Sequence, residues 1–154
     1  MLDKINVLLA TLFIVTCSPP ESKHVSDISP AYENAALKTD AITVFAARVD
    51  ADIMQIVYAE GSTKASMYEP IRLEEDMSLI RALDLGGGCI TSRTHRIATQ
   101  RYTEITTAQG ATHIILCPVD DDVNGLVGAT FNKVPSIKDL PVIKDLAEVT
   151  GDYL

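Results

Sequence analysis

The sequence predicts an α+β domain in which a mainly antiparallel sheet of about five or six strands is flanked by N- and C-terminal helices. Two pairs of apolar, β-branched segments are each joined by a short polar turn, which is typical of β-hairpins and hence of antiparallel pairing. Segments with helical periodicity lie before the first pair and after the second. An uncharged apolar run precedes all of them and indicates a membrane or export segment ahead of the domain.

The bulk composition limits the classes of function. The chain has 154 residues, which is enough for one domain of ordinary size. Apolar residues make up 47% of it and aromatic residues only 5%, so aliphatic side chains must fill the core. The formal net charge is −8, and no run of Lys and Arg offsets it locally. This balance argues against nucleic acid or an anionic membrane surface as a partner.

The apolar run at residues 5–17 (INVLLATLFIVTC) determines the predicted compartment. As a helix it would cover about 20 Å, against a hydrocarbon core of about 30 Å, so it is short for a spanning helix and well sized for a signal peptide. We expect residues 1–17 to export or anchor the domain, which places it in the periplasm or otherwise outside the cytoplasmic membrane. The residues in contact with the inner membrane would be Val7, Leu8, Leu9, Leu12, Phe13, Ile14 and Val15.

The fate of this run has several alternatives. An uncleaved anchor, a cleaved signal peptide, a lipoprotein modified at Cys17 and a plain cytosolic protein all remain open. Thr16 is bulkier than the residue that usually precedes a lipidated Cys, which counts against lipidation. Residues 18–28 are polar and contain two prolines, so they predict a linker, and the folded domain would span residues 29–154.

A helix and a hairpin follow the predicted linker. Ser29 as N-cap and Pro30 in the first turn begin a helix that runs to about residue 39. Its face toward the sheet would consist of Tyr32, Ala35, Ala36 and Thr39. Residues 42–49 and 53–60 are rich in β-branched and apolar side chains and predict the two strands of the first hairpin.

The second half of the chain contains the other hairpin and the last helix. Residues 111–119 and 125–132 predict paired strands around the acidic turn at residues 120–124. A final amphipathic helix spans residues 139–149, with an apolar face of Leu140, Ile143, Leu146 and Ala147. Between the hairpins the pattern is weaker and predicts one short helix and two short strands, at residues 77–83, 89–91 and 96–99.

The sequence predicts no catalytic, cofactor or metal site. The glycine run at residues 86–88 lacks the Lys-Ser/Thr pair that a phosphate-binding loop needs, so we interpret it as a turn. Asp120, Asp121 and Asp122 are consecutive and therefore cannot all point at one ion, as alternate residues do. We expect a domain that is not an enzyme.

Two further groups of side chains carry hypotheses. Cys89, with His95 or His113 as its base, would be a nucleophile only if the thiol were activated, and nothing in the sequence indicates this. In an exported domain Cys89 and Cys117 could form a disulfide, while two separate buried thiols are the alternative. An anion-binding face is the second hypothesis, formed by Arg93, His95, Arg96 and Arg101.

The order of elements over about residues 29–150 resembles the GAF/PAS superfamily of sensor-like domains. The similar pieces are residues 53–61, the turn at residues 85–88, and the paired strands at residues 114–119 and 125–131. A sensor-like fold of this kind is compatible with a domain that binds or senses a small molecule, which the apolar run at residues 5–17 would place outside the cytoplasmic membrane. Such a domain would contain a cavity between the sheet and residues 63–107.

Two short segments resemble the periplasmic domain of T-even-type phage holins. One is residues 56–61, similar to a strand that ends in an aromatic residue, Glu and Gly; the other is Cys117-Pro118, followed by an Asp/Asn turn and residues 128–130. The resemblance implies a membrane-anchored protein of host-cell lysis or lysis timing, with an antiholin-type partner or self-association. We take this as the leading functional hypothesis, and the small-molecule-binding domain as its alternative. Only residues 1–4 precede the short apolar run, which leaves room for a regulatory variant that binds rather than perforates.

Overall fold

A computed structural model describes residues 24–62, 69–72, 88–94, 106–120 and 124–154. The elements are, in chain order, a 3-10 helix Val25–Ile28, helix α1 Ser29–Lys38, strands β1 Thr43–Asp50, β2 Ile53–Gly61, β3 Ile71–Arg72, β4 Ile90–Arg93, β5 His113–Pro118 and β6 Gly125–Phe131, and helix α2 Asp139–Thr150. The strands form one six-stranded sheet in the order β3-β2-β1-β6-β5-β4, and every pair is antiparallel. The predicted α+β class, with a mainly antiparallel sheet, is confirmed.

Several predicted features lie outside the described residues. They are the anchor residues 7–15, Cys17, the short helix at residues 77–83 and the strand at residues 96–99. Within the described part of the chain, no helix combines the length and the apolar character needed to cross a bilayer. The last four residues of the predicted linker form the 3-10 helix, and Ile28 at its end is buried in the core.

Both predicted hairpins form, with ends within two residues of those expected. β1 and β2 pair from Thr43↔Gly61 to Asp50↔Ile53, with a bulge that leaves Val57 without a partner across the strand. The edge strands are less predictable from sequence. β3 has only two residues, and β4 extends two residues beyond the predicted strand, to Arg93, because it pairs with β5 along its whole length.

Side chains on both faces of the sheet are buried. On the face that packs against α1 and α2, alternate strand residues form the main core, among them Val44, Ala46, Ile115, Cys117, Val127 and Ala129. The intervening residues point to the opposite face and are also buried, namely Thr43, Phe45, Ala47, Ile114, Leu116 and Leu126. This burial explains why β5 and β6 are continuous apolar runs rather than alternating ones.

The N-cap residue of helix α1 is one position earlier than the sequence predicts. Ile28 occupies the N-cap position and makes no side-chain cap, while Ser29 is already helical. Ser29 Oγ donates to Glu33 Oε1 at 3.2 Å and lies 2.9 Å from the Tyr58 hydroxyl. The predicted Ser29 cap is therefore wrong, because burial of Ile28 in the core fixes where the chain enters the helix.

Helix α2 buries a stripe that differs from the predicted one at its start. Ile143, Leu146 and Ala147 are buried as expected, but Leu140 is 39% exposed. Asp139 takes the buried position at the start of the helix, since its Oδ2 accepts hydrogen bonds from the Ser136 amide at 2.7 Å and the Ser136 hydroxyl at 3.1 Å. The assignment of Leu140 to the apolar face is wrong for this reason.

A buried hydrogen bond joins the two helices. The Tyr32 hydroxyl lies 2.9 Å from Thr150 Oγ1, and both residues are fully buried. Thr150 Oγ1 donates to the carbonyl oxygen of Leu146 at 2.7 Å, so the Tyr32 hydroxyl is the donor to Thr150. The Tyr32 ring also meets the ring of Tyr58 edge to face, with centroids 5.1 Å apart. Tyr32 therefore connects α1 to α2 through a hydrogen bond and to β2 through a ring contact.

The pH dependence of stability tests this contact. Burial raises the pKa of the Tyr32 hydroxyl above its ordinary value of 10.0. A raised folded-state pKa leaves stability intact below about pH 10 and lowers it as the pH rises further, because only the unfolded chain then loses the proton. We expect Tyr32→Phe to lower the free energy of unfolding at neutral pH by about 1–2 kcal/mol and to flatten its alkaline decrease. Urea unfolding from pH 8 to 11 measures both, and an equally steep decrease in the variant would contradict the assignment.

The contact between β1 and β6 gives a second prediction. Phe45 of β1 is paired with Gly128 of β6, and its ring lies over this glycine. A Cβ at Gly128 would therefore clash with the ring. We expect Gly128→Ala to lower the free energy of unfolding by about 1–3 kcal/mol through overpacking. Gly88→Ala is the control, because a Cβ there has no described atom within 4 Å and the change should stay within about 0.5 kcal/mol. Equal stability of the two variants in chemical denaturation would show that the Phe45 contact is wrong.

Candidate functional site

Three strands leave an open cavity at one end of the sheet. β4 ends at Arg93, β5 begins at His113 and β6 ends at Phe131, and these positions are neighbours in the strand register. The cavity has a volume of about 520 Å³, within the range of about 300–1,000 Å³ found for ligand pockets. We call it the strand-end cavity; it is lined by Arg93, Thr94, Thr107, Ala111, Thr112, His113, Asn132, Lys133 and Val134.

A tight turn builds one wall of the strand-end cavity. The amide of Ala111 donates to the carbonyl oxygen of Thr106 at 2.9 Å, and the amide of Gly110 donates to that of Thr107 at the same distance. Gly110 has φ +81°, a conformation that glycine adopts without steric cost. The turn reverses the chain directly into β5, so that Thr107 and Ala111 both lie at the cavity.

β4 ends in Arg93, with Thr94 directly after it, and contacts at both ends hold the strand in place. Beyond the strand, the amide of Thr94 donates to the carbonyl oxygen of Thr112 at 3.0 Å, which continues the ladder. At the other end Cys89 and Cys117 form a disulfide across the strands, with their Cα atoms 4.2 Å apart. A strand of four residues at a sheet edge would otherwise have few contacts. The disulfide therefore helps to fix the position of Arg93.

The described lining of the cavity is positively charged. Arg93, His113 and Lys133 contribute basic groups, and none of the described residues that line it carries a carboxylate. Lys133 Nζ lies 2.9 Å from Asp40 Oδ2, and the hydrogen bond to this carboxylate raises the pKa of the Lys133 amine. Both side chains of this pair are largely exposed, so the pair contributes little to stability. Arg93 has no carboxylate partner among the described residues.

The lining also contains an unpaired buried hydroxyl. Thr94 is 3% exposed, and its Oγ1 has no hydrogen-bond partner among the described residues. A buried polar group without a partner costs about 1–3 kcal/mol, which a ligand that hydrogen-bonds to it would recover. Nearby, the Thr112 hydroxyl and His113 Nδ1 lie 2.8 Å apart and form a hydrogen bond.

A second concave surface among the described residues is a poorer candidate. A groove of about 170 Å³ lies between α1 and α2 and is lined by residues such as Ala31, Asn34, Val142 and Val149. Its volume is below the range of about 300–1,000 Å³ for ligand pockets. The strand-end cavity is therefore the candidate site.

The structure brings together only some of the residues that the sequence suggests. Arg93 of the predicted anion-binding face lines the cavity, while His95, Arg96 and Arg101 lie outside the described residues. His113 also lines it, but Cys89 is bonded to Cys117 and so is not a free nucleophile.

The acidic turn and the glycine run carry no site in the described part of the chain. Asp120 Oδ1 accepts a hydrogen bond from the amide of Asn124 at 3.2 Å, as expected of a turn residue, while Asp121 and Asp122 lie outside the described residues. Gly88 is exposed, and residues 86–87 lie outside. No group of metal-ligating side chains forms among the residues that the structure describes.

Sequence reasoning did not find Thr94, Asn132 or Lys133 as site residues. Thr94 is far from the other two along the chain, and it meets them only because β4, β5 and β6 are in register and because the loop after β6 crosses the ends of these strands. The one available indication was Arg93 close to the end of a predicted strand.

The arrangement of strands and helices belongs to a known fold. A six-stranded antiparallel sheet in this order, with the N- and C-terminal helices together on one face, is a GAF-like α+β fold. The chain is similar to the GAF domain of a two-component sensor histidine kinase from Bacillus halodurans, with a TM-score of 0.63, 14% identity, and coverage of 82% of this chain and 90% of that one.

Two further solved structures have similar folds. One is the GAF domain/HD domain protein from Geobacter sulfurreducens, with a TM-score of 0.62, 13% identity, and coverage of 80% of this chain and 86% of that one. The other is a far-red cyanobacteriochrome photoreceptor, with a TM-score of 0.62, 13% identity, and coverage of 97% and 94%. No protein-family model and no curated protein matches the chain. These comparisons show the fold and give the holin resemblance no support.

Removal of the disulfide tests its part in holding β4. The bond closes a loop between cysteines 28 residues apart, so we expect Cys89→Ala/Cys117→Ala to lower the free energy of unfolding by about 3–4 kcal/mol. Urea denaturation with and without reductant measures this: reductant should destabilise the wild type and leave the double variant unchanged. Cys17→Ala is the control and should retain the full response to reductant. Equal midpoints for the oxidised wild type and the double variant would contradict a stabilising bond.

Proposed function

We propose that this domain binds a small molecule and acts as a sensing or ligand-binding module rather than as an enzyme. The observation that carries this proposal is a ligand-sized cavity in a GAF-like fold. The similar structures include a domain of a sensor histidine kinase and a photoreceptor, which are consistent with a sensing role for the fold. Seven of the nine described lining residues carry polar or charged groups, while Ala111 and Val134 add apolar surface, so the lining can both orient a bound small molecule and pack against it.

We place this module outside the cytoplasmic membrane. Residues 5–17 support export or anchoring, because they form an uncharged run of signal-peptide length. The Cys89–Cys117 bond supports the same compartment, because structural disulfides persist in oxidising environments and are rare in the cytosol. Attachment would leave the domain free to meet ligands outside the membrane.

A role in lysis or its timing, with an antiholin-type partner, is the less supported proposal. It depends on two short sequence segments whose residues have structural roles in this fold. Tyr58 packs against Tyr32, Cys117 is in the disulfide, and Gly128 lies beneath the Phe45 ring. Because folding alone accounts for these residues, we place ligand binding first.

Thermal denaturation of the full chain, purified in mild detergent, tests ligand binding. We expect at least one member of a panel of anionic, neutral and cationic metabolites to raise the midpoint in a saturable way. A ligand at 100 times its Kd would add about 2.7 kcal/mol to the free energy of unfolding.

Two matched variants locate the binding. Val134→Trp places a bulky ring at the cavity from an exposed position and should abolish the shift. Ile137→Trp changes an exposed residue of the same loop that does not line the cavity, and it should retain the shift. An absent shift across the panel would contradict ligand binding, and an equal shift in both variants would contradict the cavity as its location.

A further inference from the structure

We propose that the strand-end cavity recognises an anionic group, the carboxylate or phosphate of a small molecule. This inference rests on the proposed ligand-binding function and adds the chemical class of the ligand. Its basis is the set of side chains that the ends of β4, β5 and β6 bring together around Arg93.

The charge around the cavity is the first argument. The chain as a whole carries a formal charge of −8, yet the ionisable groups of the described lining are all basic. Such a local reversal of sign attracts an anion at short range, while the rest of the protein repels it. The cavity is therefore distinguished from a generally basic surface, which would attract anions everywhere.

The hydrogen-bonding capacity is the second argument. The guanidinium of Arg93 offers paired N–H donors that match the two oxygens of a carboxylate or phosphate. The Thr94 hydroxyl is buried at the cavity without a described partner, so it is free to donate to an oxygen of the ligand. Asn132, directly after the end of β6, also lines the cavity and adds amide donors.

Asp40 modulates the proposed site from outside it. This carboxylate holds Lys133 at 2.9 Å and does not line the cavity. The Asp40 carboxylate offsets the charge of the Lys133 amine, so a bound anion meets a weaker attraction there. Replacement of Asp40 by Asn removes this negative charge and leaves the lining unchanged.

Isothermal titration of the full chain at low salt, with inorganic phosphate and with succinate as separate probes, tests the inference. We expect saturable binding of at least one probe, and the probe that binds more tightly distinguishes phosphate from carboxylate.

Three variants test which residues bind the anion. Arg93→Gln should weaken binding about tenfold or more. Arg72→Gln is the matched control, because Arg72 is also exposed and also ends an edge strand, at the far side of the sheet. Asp40→Asn should tighten binding about threefold.

A further variant separates binding from folding. Thr94→Val removes only the unpaired hydroxyl, so the ligand-free chain should be at least as stable as the wild type, while the affinity for the probe falls about fivefold. Unchanged affinity would show that this hydroxyl does not contact the anion.

The outcomes distinguish this inference from the proposed function. If neutral or cationic metabolites bind at the cavity while both anions fail at about 10 mM, the anionic ligand class is wrong and ligand binding stands. If no metabolite and no anion binds, both are wrong. Equal weakening by Arg93→Gln and Arg72→Gln would mean that only overall charge matters, and it would overturn the site.

Discussion

The pairing of β1 with β6 is the interaction on which the rest of the fold depends. These two strands belong to different hairpins from opposite ends of the domain, and their register places Phe45 opposite Gly128. Both strands lie at the centre of the sheet, where one face packs on the helices and the other is buried as well. A shift of one residue in this pairing would turn the core face of β6, and with it the core faces of β5 and β4 beside it in the sheet, away from the helices.

The elements with strong local patterns could be predicted from sequence, and those defined by distant contacts could not. Both hairpins and both helices carry the required periodicity and turn residues in their own segments, so their ends were predicted within two residues. β3 has only two residues and exists because β2 offers an edge to pair with. The start of α1 and the buried stripe of α2 depend on Ile28 and Asp139, whose burial is a property of tertiary packing.

The same physical distinction applies to the candidate site. A single basic residue near a strand end, Arg93, suggested an anion-binding face, but its actual neighbours come from β5, the turn before it and the loop after β6. A sequence motif cannot encode such a set, because strand register rather than sequence spacing brings it together. A domain with a GAF-like fold and an acidic sequence thus has a basic cavity at the ends of β4, β5 and β6, and a disulfide holds the edge strand β4.

Chemical-shift mapping by NMR tests the central claim most directly. Backbone amide resonances of the isotope-labelled chain would be followed while the tightest-binding metabolite or anion is added. Binding in the strand-end cavity predicts saturable shifts that are largest at Arg93, Thr94, Thr112 and His113, with little change in α1 and α2. Saturable shifts confined to the helices, or shifts that grow linearly without saturation over the whole surface, would contradict the account.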